Sequence, residues 1–325
     1  MWRFCAYSSN VGYVSQKSGN EKKLYESKIN HKRKIMDWRV GLNFYSSKLC
    51  IFNPSDLEQS EVQKEIESDK YHIYLICKRK KIHFESSEEK EGVGYTTLFY
   101  LDGNFEKVYL RYKYSLEELK INEVKDGYYN VDIGKLKRQV VRDYLMINYF
   151  AFLVSDIIGD KEKIALPSDL EVMYIGQAFG RTETKKIDYR LANHDKIQKI
   201  ALDILNKSSN EEVLVIGIKV ATNELSTSIV TIDSKKEEPT LESILKLREK
   251  AAKRITEGQE ITVFEASLIK YFQTDLNTEY KGTFPSPDFK SYRQIYDTDF
   301  DYSAVAIDTR PVGVRIYSGH INERK

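Results

Sequence analysis

The sequence predicts an α+β protein, β-rich in its N-terminal part and mixed in its C-terminal part. Three observations carry this. Between Trp38 and about Tyr129, β-branched and aromatic residues recur with a period close to two, the mark of half-buried strands. From about Lys186 onward the apolar period lengthens to that of a helix in three segments, with strand-like runs between them. The composition, 41% hydrophobic and 31% charged with only 16 Gly and 6 Pro, is that of a globular chain, and 325 residues suffice for two domains with separate cores.

In chain order, the expected strands of the first part are Arg39 to Tyr45, Lys48 to Phe52, Tyr71 to Phe84, Thr96 to Leu101 and Phe105 to Tyr114, with a short helix over Ser60 to Ser68. Asp102-Gly103 between the last two strands signals a hairpin, because both residues tolerate positive φ. Strand Lys107 to Tyr114 places Lys107, Tyr109, Arg111 and Lys113 on one face and Val108, Leu110, Tyr112 and Tyr114 on the other. That cationic face, like the run Lys78-Arg79-Lys80-Lys81, suits either a phosphate backbone or plain solvent. Ile133 to Val154 fits a buried helix or a helix followed by a strand, and period alone leaves both open.

A polar loop from Gly159 to Asp169 then leads to the strand Val172 to Gly176. The helix from about Lys186 to Leu205 carries an apolar stripe of Ile187, Leu191, Ile197, Ile200, Ala201, Ile204 and Leu205. Strands follow at Val213 to Val220 and Ser228 to Ile232, then a helix from Leu241 to Ile255 with Gly258 ending the connection. The last helix, from about Val263 to Phe272, repeats Phe264, Leu268 and Phe272 at four-residue steps, and Ser303 to Ile307 with Gly313 to Tyr317 form an expected strand pair.

Several function classes are excluded. Cys5, Cys50 and Cys77 are odd in number and lack Cys-x-x-Cys spacing, which argues against a disulfide framework or zinc site and for a reducing cytoplasm. The most apolar run, Tyr144 to Val154, is far shorter than the roughly 20 residues a membrane helix needs. The net charge of +2 conceals +6 on residues 1 to 35 and −4 on the remainder, so any nucleic-acid footprint is local. The first 35 residues read as a disordered basic arm, or translation starts at Met36.

Two distant segments carry chemistry. Tyr174-Ile175-Gly176-Gln177 ends a strand, and Arg190 and His194 follow four residues apart, on one helix face. Arginine offers a phosphate two parallel hydrogen bonds and a permanent charge, and histidine donates or shuttles a proton. Glu265 opens the last helix where its start meets the core, and Asn277 comes twelve residues later. A single carboxylate is enough for Mg²⁺, which fills its shell with water and phosphate oxygens.

Tyr174-Ile175-Gly176, the Arg190-x-x-x-His194 pattern and Glu265-Ala-Ser-Leu-Ile-Lys-Tyr-Phe with Asn277 together resemble the ordered motifs of GIY-YIG superfamily nucleases, most of all those that work as restriction endonucleases. The resemblance spans roughly residues 145 to 282. It implies a small antiparallel sheet flanked by helices, with the β-rich part preceding it as a recognition or regulatory domain. It implies residue roles as well. Tyr174 or a tyrosine on the preceding strand positions or deprotonates water, Arg190 neutralises developing charge with support from His194, Glu265 holds Mg²⁺ or Mn²⁺, and Asn277 orients its neighbours.

The Gly-Ile-Tyr half is not visible at the usual short distance before Tyr174, and Tyr149 is one residue that would take its place in a long hairpin. The expected segmentation is residues 1–35 as the arm, 36–140 as the β-rich domain, 141–285 as the nuclease domain and 286–325 as a strand-pair tail. The implied function is cytoplasmic endonucleolytic cleavage, with double-stranded DNA as partner, in a restriction or phage-defence setting. A homodimer and a protein partner on the N-terminal domain are further expectations. The alternative is a nuclease-like scaffold that binds nucleic acid or protein without cutting.

Overall fold

The computed structural model describes residues 11–12, 38–54, 69–115, 119–125, 128–133, 139–142, 169–177, 195–207, 210–222, 226–231, 240–278, 281, 300, 302–309 and 314–321. Among these, strand-rich sheets and three helices make a mixed α+β structure, and no helix is long and apolar enough to cross a membrane.

The principal sheet contains β1 (Val11–Gly12), β2 (Trp38–Phe52), β3 (Ile73–Lys80), β10 (Leu170–Gln177), β11 (Glu211–Val220), β12 (Ser226–Thr231), β13 (Tyr302–Asp308) and β14 (Ile316–Tyr317). Its order is β1-β13-β2-β11-β3-β10-β14, with β12 also on β2. The sheet therefore draws strands from each segment the sequence reading separates at residues 140 and 285. Two residues of the basic N-terminal segment, Val11 and Gly12, join it opposite Asp308 and Ile307.

Several elements differ from expectation. Arg39 to Tyr45 and Lys48 to Phe52 are one continuous strand, because different partners support its two ends: β12 and β13 pair with residues 38 to 45 and β11 with residues 46 to 52. The run Tyr71 to Phe84 is instead two strands, β3 and β4 (Ile82–Lys90), in different sheets. β13 and β14 are no strand pair: β13 lies parallel to β2, and β14 lies parallel to β10 at the opposite end of the sheet.

Strand β3 is central, and Ile73 to Cys77 are all buried, so the run lacks the alternation of a half-exposed strand. Ile73, Leu75 and Cys77 join one core cluster with helix α3 (Glu257–Phe272), while Tyr74 and Ile76 join a second with helix α1 (Asp195–Lys207). The core stripe of α1 is narrower than expected, since Ile200 and Ile204 are buried but Leu205 is exposed. Helix α2 (Leu241–Ala251) is capped by Thr240, whose hydroxyl accepts the Ser243 N–H at 3.3 Å.

Between β3 and β10 lie two small meanders. One is β4, β5 (Val93–Leu101) and β6 (Lys107–Ser115); the other is β7 (Leu119–Lys125), β8 (Tyr128–Ile133) and β9 (Gln139–Arg142). The hairpin joining β5 to β6 forms where expected, but not through Asp-Gly positive φ. The Asp102 carboxylate accepts the N–H groups of Asn104 and Glu106, and the left-handed residue is Phe105, at φ 63°. This is a three-residue loop closed by the pair Asp102 N–H to Glu106 O.

Candidate active site

Strand β10 runs antiparallel to β3, with Gly176 opposite Tyr74, Ile175 opposite Leu75 and Tyr174 opposite Ile76. A bulge between Val172 and Tyr174 inserts Met173, which re-aims the side chains that follow. Val172 and Ile175 thus pack into the α3 cluster, whereas Met173 and Tyr174 both pack against the α1 cluster. Tyr174 lies beside Tyr74 there, ring centroids 6.1 Å apart and tilted by 41°.

The adjacent strand therefore supplies a tyrosine, in the triplet His72-Ile73-Tyr74. Sequence reasoning missed it. The available signal was Ile-Tyr within a strand-like run, preceded by histidine and about a hundred residues before Tyr174. His72 is accounted for structurally: it is buried, and Nδ1 accepts the Val220 N–H of β11 at 3.1 Å. Burial lowers its pKa below the usual histidine value, which favours the neutral, accepting imidazole.

Gly176 is tied to the same tyrosine. A Cβ at this position would overlap the Tyr74 ring, so the strand crossing requires a residue without one. Gly176→Ala is expected to push the Tyr74 ring aside and to cost about 1–3 kcal/mol of stability, as overpacking does. Thermal denaturation checks this, and an unchanged melting temperature would show that the ring is not held as described. Of the two phenols, Tyr74 is 1% exposed and Tyr174 only partly buried, so solvent reaches Tyr174 first.

Helix α3 starts two turns earlier than the sequence suggests. Thr256 is its N-cap, with the Gln259 side chain accepting the Thr256 N–H at 3.4 Å. Gly258 is inside the first turn, and Glu265 is in the middle of the helix instead of at its start. Glu265 is 9% exposed. Thr262, one turn before it, meets Gln177 of β10 at 3.5 Å. The apolar face of α3 packs on the side of the sheet opposite Tyr74 and Tyr174, with β10 between.

The chain leaves α3 through Gln273 in the left-handed conformation, φ 50°, and turns to bring Asn277 against β10. Asn277 Oδ1 accepts the Ile175 N–H at 2.8 Å, and its Nδ2 donates to the Ile175 carbonyl at 2.8 Å. Thr274 Oγ1 donates to the same Oδ1, and Leu276 packs against the same core cluster as Tyr174. Because β14 pairs only with Leu170 and Glu171, the Asn277 amide completes the strand edge that β14 leaves open. The structure thus joins Tyr174 and Asn277 through the central residue of Tyr174-Ile175-Gly176.

Arg190, His194 and Tyr149 lie outside the described residues, as does the expected helix before Asp195. Helix α1 begins directly after His194 and packs Ile200 and Ile204 on the face that carries Tyr74 and Tyr174. The run Lys78 to Lys81 is a weaker phosphate candidate than its sequence implies. Lys78 sits between Glu211 at 3.2 Å and Glu171 at 3.5 Å, and the buried Arg79 pairs with Glu212. Nearby, Tyr317 is pushed up to about 12, first by burial and then by Glu171, Asp169 and Glu211, which marks the N-terminal end of β10 as acidic.

No protein-family model, curated protein or solved structure matches the chain. Among the described residues, no three His, Cys, Asp or Glu side chains gather as a metal cage. A single oxygen ligand such as Glu265 suits Mg²⁺, which retains water and substrate oxygens in its shell and needs no such cage.

Proposed function

We propose that this chain is a GIY-YIG-type endonuclease that hydrolyses phosphodiester bonds of double-stranded DNA with the help of Mg²⁺ or Mn²⁺. One observation carries the reading: Tyr174-Ile175-Gly176 pairs antiparallel with Tyr74-Leu75-Ile76, which sets Tyr74 opposite Gly176 and beside Tyr174, and Asn277 is hydrogen-bonded to Ile175 at the centre of the triplet. A missing first tyrosine would favour a scaffold that binds without cutting, and in this reading Tyr74 takes that place. Restriction or phage defence, and a homodimer that cuts both strands, follow as the setting in which such a nuclease would act.

In this reading Tyr174, the more exposed phenol, positions the attacking water by accepting a hydrogen bond from it, and the water's proton passes to a phosphate oxygen as the new P–O bond forms. Tyr74 backs Tyr174 and fixes the strand crossing at Gly176. Arg190 neutralises charge as the new P–O bond forms opposite the breaking one, and His194 supplies the proton taken up by the departing oxygen. Glu265 would hold the metal ion, which when bound supplies Lewis-acid polarisation of the phosphate. The meanders between β3 and β10 are free to recognise the substrate.

The test is nicking of supercoiled plasmid by the purified chain. Nicking is expected with Mg²⁺ or Mn²⁺ and none with EDTA. A protein that binds DNA yet never cuts it under either metal would overturn the assignment in favour of a binding module.

A further inference from the structure

The meander β4-β5-β6 presents a row of aromatic rings across all three strands. Register places His83 opposite Phe99, and Phe99 opposite Tyr109. His83 stacks on Phe99, with centroids 4.9 Å apart and planes within 17°, and Phe99 lies 6.1 Å from Tyr109 at 53°. Lys107 Nζ stands 4.1 Å from the centre of Phe99 and 5.8 Å from that of Tyr109. The other face of this meander is the buried one, where Ile82 is 7% and Leu98 0% exposed. Tyr109 is 54% exposed, and Phe105, 68% exposed, stands in the loop at the end of the hairpin.

Large aromatics on the solvent side of a sheet need a reason, since an ordinary solvated face carries polar residues at these positions. Here Lys107 stands beside Tyr109 on β6, and the sequence continues the alternation with Arg111 and Lys113 at the positions opposite Thr97 and Tyr95. Stacked rings next to positive charge suit unpaired nucleotides, whose bases stack on the rings while their phosphates meet the cations.

We infer that the face bearing His83, Phe99, Tyr109 and Lys107 is a stacking platform for single-stranded DNA. Tyr109 offers the open ring, Phe99 and His83 hold it in line, and Lys107 contacts a phosphate. Lys107 now pairs with the exposed Glu85 at 3.4 Å, a contact weak enough for a phosphate to displace. An acidic peptide fits less well because it would use the lysine and leave the rings idle. The choice of DNA over RNA rests on the proposed function, and the platform would engage a strand opened beside the cut.

The experiment is fluorescence anisotropy with full-length protein in EDTA, using a short labelled oligothymidylate. Comparators are an abasic strand of equal length, oligouridylate and polyglutamate. Expected results are binding of oligothymidylate, about 10-fold weaker binding of the abasic strand, and a similar loss for Tyr109→Ala and Phe99→Ala. Lys107→Ala should reduce the salt slope by about 0.7, the value for one single-strand phosphate. Equal affinity for the abasic strand, wild-type binding by Tyr109→Ala, tighter binding of oligouridylate, or equal competition by polyglutamate would each overturn the platform. Melting temperatures of the variants show that they are folded, and exposed Tyr109 is the substitution least able to disturb the core. Plasmid nicking by the same samples separates the two ideas: binding without nicking sinks the nuclease reading alone, and nicking without oligothymidylate binding sinks the platform alone.

Discussion

Plasmid cleavage by Tyr174→Phe is expected to fall by about 10²-fold with no change in melting temperature, because only a partly exposed hydroxyl is removed. Tyr74→Phe should lose less, under about 10-fold by the same comparison, since its ring is fully buried and acts through Tyr174 and Gly176. Glu265→Gln is expected to be the most severe, on the order of 10³-fold, as a lost metal ligand removes several kcal/mol of charge stabilisation. Initial nicking rates at saturating Mg²⁺ measure all three. If Tyr74→Phe proves the more damaging of the two tyrosine changes, the water belongs to Tyr74 and the roles must be exchanged.

Asn277→Leu should lower the unfolding free energy by about 3–5 kcal/mol. The leucine fills a similar volume, but it leaves the N–H and carbonyl of Ile175 without the amide that satisfies both, and an unsatisfied buried polar group costs roughly 1–3 kcal/mol. Asn277→Asp keeps the acceptor and loses the donor, so it should fall between wild type and Asn277→Leu. Urea denaturation gives both values. A loss below about 1 kcal/mol for Asn277→Leu would mean that water replaces the amide at this edge. Cleavage should fall with stability in these variants, because Ile175 holds Tyr174 in position through the backbone.

The second half of the candidate site was legible because its spacing is local. Tyr174-Ile175-Gly176 lies on one strand, and the twelve-residue step from Glu265 to Asn277 covers one helix end and one turn. The first half was not, because period-two patterning shows that a strand exists and not which strand it pairs with. Ile73 to Cys77, buried on both faces, read like any other apolar run. The start of α3 was misplaced for a different reason. Gly258 reads as a break, yet Thr256 and Gln259 cap the helix before it, and the first turn tolerates glycine once the cap is made. The Asp102 loop shows the same principle in a hairpin, where a carboxylate accepting two backbone N–H groups moves the positive φ to Phe105.

The placement of both meanders between β3 and β10 also sets a timetable for the living cell. About ninety residues separate the end of one strand from the start of its neighbour. At roughly 5–20 residues per second, the ribosome delivers Tyr174 on the order of 5–20 seconds after Tyr74. Closing so long a loop also costs about 2–3 kcal/mol more entropy than closing a tight hairpin, offset in part as the meanders fold and shorten the span. The nascent chain therefore spends its first seconds with Tyr74 unpaired from β10, and under the proposed function the power to cut would arrive only when synthesis is well advanced.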